Sequence, residues 1–122
     1  MLAIAFAALT LHRESVTLNV TVPKALKAGQ AVISFRVESP ANAIVAFRVF
    51  VDMPRANLKT PLEGRNYLGY LVLPARDVTG ELRVQTPFLG WPFAKSLSVR
   101  KVTLVPLPEN SMPVTIGRVS IQ

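Results

Sequence analysis

One histidine, His12, stands in a chain that has no cysteine. A lone imidazole can serve as a base or give one metal ligand. A type-1 copper site takes two histidines and a cysteine, and a serine nucleophile takes a base beside it. Nothing accompanies His12 in either role, so it reads as a surface histidine in or beside a first strand. The carboxylates are Glu14, Glu38, Asp52, Glu63, Asp77, Glu81 and Glu109. Most fall at turns or on the wet phase of alternating segments, and no pair shows the spacing of a general acid and base. A glycine-rich phosphate loop is absent. The inventory gives no catalytic residue, no metal ligand and no cofactor in this chain. It is read as not an enzyme by itself.

Two other clusters can make contacts rather than chemistry. Phe88, Trp91 and Phe93 lie close together beside Gly90 and Pro92. Such aromatics either cap one end of a core or form a contact surface. The stretch from Asp52 to Arg65, DMPRANLKTPLEGR, carries Leu58 and Leu62 among two prolines, an asparagine and a glycine. Loops of this length are usually functional or pinned to something. The plainer reading is a solvated crossover between two sheets.

The elements that would position these residues are strands. From Val16 to Val22, apolar residues take every even position and polar ones every odd position, and Pro23 ends the run. That is a strand with one dry face. Ala31 to Glu38 repeats it, with Ile33, Phe35 and Val37 inward. Ile44 to Val51 is nearly all apolar, which predicts a central strand covered on both faces, and Arg48 is its one charge. Tyr67 to Leu73 is the next strand, and Gly69 inside it predicts close backbone approach or a bulge. Leu82 and Val84 point inward from Glu81 to Thr86. Thr86-Pro87 reads as a helix N-cap and first position, with one turn at most before Pro92. Leu97 to Val105 is a strand whose phase slips at Arg100-Lys101. Val114 to Ile121 is the last, with Gly117 at its slip, where a bulge belongs.

Seven or eight short strands without a helix of ten residues predict an all-β fold. Two packed antiparallel sheets are the architecture that buries them. Residues 14–122 form one domain, and residues 1–13 are a lead-in segment or first strand. The apolar Met1 to Leu11 has no basic residue before it, as a signal peptide would need. The length, 122 residues, supports a core without disulfides or metal. Half the residues are apolar and 17% are charged, which excludes a disordered chain. The net charge of +7 permits attraction to anionic partners. The basic residues are spread out, with no run longer than Arg100-Lys101, so no nucleic-acid site is assigned. No segment reaches the ~18 apolar residues of a membrane span.

Several segments occur in a familiar order. Val16 to Pro23 (VTLNVTVP) comes first, then AFRVFVDMP from Ala46 to Pro54 and YLGYLVLP from Tyr67 to Pro74. VTLVPL from Val102 to Leu107 and VTIGRVSI from Val114 to Ile121 close the series. In this series the chain resembles the C-terminal domain of tyrosinases and polyphenol oxidases, plant and bacterial, over residues of about 14 to 122. The family's Lys-Phe-Asp-Val is here Ala46-Phe47-Arg48-Val49, so both flanking charges differ. The resemblance implies a β-sandwich that packs over the active-site mouth of a di-copper catalytic domain. That domain, with its six histidines, is separate from this chain and is its partner in cis or in trans. The resemblance further implies a non-catalytic shielding role, in which one bulky side chain enters the mouth. No matching plug motif is readable, and the candidates for interface or plug are Phe88, Trp91, Phe93, Leu58 and Leu62. A generic immunoglobulin-like binding or adhesion module is the alternative. It predicts a flat row of exposed aromatics on one sheet.

Overall fold

Each alternating segment forms a strand over its described residues. The computed structural model describes residues 9–22, 31–39, 43–64, 66–74, 78–84, 98–108, 110 and 112–121. They contain β1 (Leu9–Leu11), β2 (Val16–Val22), β3 (Ala31–Glu38), β4 (Val45–Val51), β5 (Tyr67–Leu73), β6 (Val78–Val84), β7 (Ser98–Pro106) and β8 (Val114–Ile121). All pairings are antiparallel, in two four-stranded sheets ordered β1-β8-β3-β6 and β2-β7-β4-β5. The fold is the expected all-β sandwich, and no described residue is helical. The Thr86-Pro87 cap and the turn after it lie outside the described residues.

Period-2 patterning puts one phase of each strand between the sheets. Ile33, Phe35 and Val37 of β3 face Phe47 and Val49 of β4 in one continuous core. The rings of Phe35 and Phe47 meet edge to face, 5.2 Å between centroids and 74° between planes. That contact joins the central strands of opposite sheets, in a geometry aromatic quadrupoles favour. Val16 and Leu82 belong to the same dry phase yet are only half-buried. They sit on β2 and β6, the end strands of their sheets, where no neighbour covers one side.

The glycines stand at the irregularities. Pairing of β3 with β8 goes from Arg36 opposite Arg118 to Val37 opposite Ile116, leaving Gly117 as the extra, bulged residue. Pairing of β4 with β5 goes from Val49 opposite Gly69 to Phe50 opposite Tyr67, leaving Leu68 as the extra residue. Gly69 has φ +135°, and a Cβ there would stand 3.0 Å from Leu82 Cδ1. It therefore meets both expectations, a bulge and a close approach. No slip occurs at Arg100-Lys101. The ladder between β2 and β7 is continuous from Val16–Leu104 to Val22–Ser98. Arg100 simply takes a core-side position in line with Val102 and Leu104, and Val99 points out to solvent. An outward valine beside an inward arginine imitates a change of phase in the sequence.

β4 lies between β7 and β5 and is buried on both faces except at half-buried Arg48. The inner face packs on the opposite sheet. At Phe50 the outer face is covered by the chain that follows it.

Candidate functional site

That covering chain is the stretch 52–64, a strap folded back over the outer face of the second sheet. β4 and β5, which it connects, are antiparallel neighbours in one sheet. The strap is therefore the loop of a long hairpin, and the crossover reading is overturned. Its base is closed twice. The Val51 amide donates to the Asn66 carbonyl at 2.9 Å, and Asn66 Nδ2 donates to the Val51 carbonyl at 2.8 Å. Asp52 then takes φ 55°, a left-handed conformation that aspartate tolerates better than most residues. Its amide donates to the Lys101 carbonyl at 2.8 Å, one step past the β4–β7 ladder.

Two threonines pin the next turn. Thr103, fully buried on β7, donates from its hydroxyl to the Met53 carbonyl at 3.0 Å. Thr17 of β2 lies 2.8 Å from the same hydroxyl and 3.3 Å from the Pro54 carbonyl. Each hydroxyl has one proton. With the Thr103 proton on Met53, the short contact is Thr17 donating to Thr103. Met53 and Ala56 then close over Phe50, Val105 and Tyr67 in a second, smaller apolar cluster. The rings of Phe50 and Tyr67 lie 5.2 Å apart.

Beyond Ala56 the strap turns outward on Asn57. Asn57 accepts from the Lys59 amide on Oδ1 at 2.8 Å, and its own amide donates to Thr60 Oγ1 at 2.8 Å. This local bonding is what asparagine offers a turn. Leu58 within this turn and Leu62 further along the strap are 45% and 42% exposed. Both leucine candidates thus share one pinned element and point to solvent. Phe88, Trp91 and Phe93 lie outside the described residues.

Arg48, in the place where the resemblance expects an aspartate, points to the outer face. Its Nη1 donates to the Leu58 carbonyl at 3.4 Å. Burial pushes the Tyr67 phenol above its ordinary value of 10.0, the Arg48 charge pulls it down, and Tyr70 adds a further upward push. Asp52 and Arg100 form an ion pair at 3.7 Å, partly exposed and so of small energetic weight.

The structure also brings out residues that the sequence reading passed over. Tyr70 and Val72 of β5 are 61% and 58% exposed on the outer face, and Ile44 joins them just before β4. A signal for this existed. Tyr67 to Leu73 has no polar phase, while an end strand of a sheet is covered on one side only. Among the described residues, Tyr70 is the one large aromatic that stands exposed, whereas an adhesion module predicts a row. His12 is half-buried rather than on the surface, and its Nε2 makes no hydrogen bond. Among the described residues, no three His, Cys, Asp or Glu side chains come together as a metal site. None of them forms a helix long and apolar enough to cross a membrane.

No protein-family model matches the sequence, and no curated protein matches it either. Solved structures do. Latent apple tyrosinase superposes with a TM-score of 0.64 at 20% identity, over 95% of this chain and 27% of its own. Latent aurone synthase, a polyphenol oxidase, gives 0.61 at 17% identity, over 93% of this chain and 25% of its own. The same enzyme from its natural source gives 0.60 at 18% identity. The chain has the fold of one part of latent polyphenol oxidases. It spans about a quarter of the length of those enzymes. At these identities the likeness is one of fold.

Proposed function

We propose that this chain is a non-catalytic domain that packs on the di-copper catalytic domain of a tyrosinase or polyphenol oxidase and shields its entrance. The partner is joined in cis or supplied in trans. One observation carries the reading: nearly the whole chain matches a quarter of enzymes described as latent. The ordered motifs from Val16 to Ile121 support assigning that quarter to the C-terminal domain. The strap supports the shielding part. A plug needs a bulky apolar side chain held away from its own core on a firm support, and Leu58 and Leu62 have both. Phe88, Trp91 and Phe93 remain candidates on composition.

The test is inhibition in trans. Apple tyrosinase from which the matching quarter has been removed is assayed for catechol turnover with increasing amounts of this chain. Turnover falls to a low plateau if the domain shields. Unchanged turnover at saturating chain overturns the reading. Changing both Leu58 and Leu62 to Ala restores turnover if the strap supplies the plug.

A further inference from the structure

The outer face at the β5 end of the second sheet is apolar and uncovered. Val72 and Tyr70 stand opposite Ala46 and Arg48 on β4. Ile44 precedes Ala46 on the same phase, 49% exposed. The strap closes the other side, where the Leu58 carbonyl meets Arg48. Isolated exposed apolar residues are ordinary, but a contiguous group rimmed by polar residues marks an interaction surface. The charged rim here is mostly basic. Arg48, Arg55, Lys59 and Lys101 lie on this face or the strap, while Asp52 is paired with Arg100 and leaves Glu63 as the strap's other acid.

We propose that this face, centred on Tyr70 and Val72 with Ile44 and Leu58 beside them, docks on an apolar, acid-rimmed surface of a separate protein domain. The occupant follows from charge. A second copy of a chain carrying +7 would bring a like-charged rim against this one, and like charges in apposition oppose association. An acidic rim is attracted, and the apolar centre supplies the desolvated contact on which affinity rests. The proposal rests on the shielding reading for the partner's identity and adds the surface that the partner holds. The strap then lies at the border of the docked face, so its leucines project toward the partner.

Binding of the full chain to apple tyrosinase lacking the matching quarter tests this, with catechol turnover read in parallel. Val72→Glu and Tyr70→Ser each weaken binding about tenfold or more, with thermal melting unchanged. Thr79→Glu, exposed on the opposite sheet, leaves binding as it was. Added salt weakens the wild-type complex. If Val72→Glu fails to fold, Tyr70→Ser carries the test. Wild-type affinity in folded Tyr70→Ser and Val72→Glu, with inhibition intact, overturns the proposed face and leaves shielding standing. Neither binding nor inhibition by the wild-type chain overturns both. A homodimer that Val72→Glu dissociates, or capture by anionic phospholipid vesicles that Val72→Glu abolishes, also overturns the proposal by giving the patch another occupant.

Discussion

Thr103 shows how much one hydroxyl can hold. It is a polar residue on a central strand, fully buried, and its bond to the Met53 carbonyl ties the strap to the sheet. Thr103→Val keeps the shape and removes the donor. The Met53 carbonyl keeps the Ala56 amide at 3.0 Å and the Thr17 hydroxyl keeps the Pro54 carbonyl at 3.3 Å, so no group is orphaned and the expected loss is that of an ordinary hydrogen bond, about 0.5–1.5 kcal/mol. The strap should loosen before the sandwich does. Limited proteolysis should cut within 52–64 faster in this variant, while urea unfolding still shows one cooperative transition. Tyr67 reports on the same cluster through pH. Its folded value lies above 10.0 because burial disfavours the phenolate. The stabilisation is full below the unfolded value and is lost as pH rises through the higher folded value. Melting temperature should therefore fall more steeply above about pH 10 in the wild type than in Tyr67→Phe. Equal slopes in the two proteins would remove Tyr67 from the account.

Strands β5 and β6 close one side of the sandwich through glycine and leucine. A Cβ on Gly80 would lie 2.8 Å from Leu73 Cδ1, and one on Gly69 would lie 3.0 Å from Leu82 Cδ1. Each glycine makes room for a leucine of the facing sheet. Gly69 also needs its positive φ, so Gly69→Ala meets strain and crowding together and should cost about 1–3 kcal/mol. Gly117 makes the contrast. It too is at a bulge, yet its Cβ would find nothing nearer than Arg36 at 3.9 Å. Gly117→Ala should fall within about 1 kcal/mol of the wild type. Chemical denaturation of the two variants side by side tests the difference, and equal losses would show that the bulge rather than the space sets the cost. Both glycines were legible in the sequence as breaks in an apolar pattern. Their unequal tolerance was not, because it depends on which leucine faces them.

At the scale of the molecule, the chain by itself should neither hold copper through dialysis nor oxidise catechols, since one histidine and no cysteine cannot hold a copper pair. Stoichiometric copper with phenol oxidation would overturn that expectation. Trp91 separates the two readings of the aromatic segment. If it serves as a plug, Trp91→Ala keeps the melting temperature and raises the turnover of the shielded enzyme. If it caps the core, the same change costs about 3–5 kcal/mol and leaves turnover alone. A thermal melt and a catechol assay on the one variant decide it. The candidate site was only partly legible for the same reason. Leu58 and Leu62 were readable as apolar residues in a polar loop, whereas Tyr70 and Val72 looked like any buried strand.

The sequence by itself determined the local terms. Alternation repeats every two residues, so the dry phases of β2, β3 and β8 and the doubly covered β4 could be read from a few neighbours. Glycines in apolar runs marked both bulges. The order of the strands was decided only by tertiary structure. β2 pairs with β7, and Thr17 meets Thr103 across 86 positions, a distance over which no short-range pattern carries information. The same holds for the outer faces. β4, Arg48 apart, and β5 are both apolar, but the strap folds over Phe50 and leaves Val72 bare. Burial of an apolar side chain depends on what lies above it in space, and that is fixed by where a distant loop is tied down.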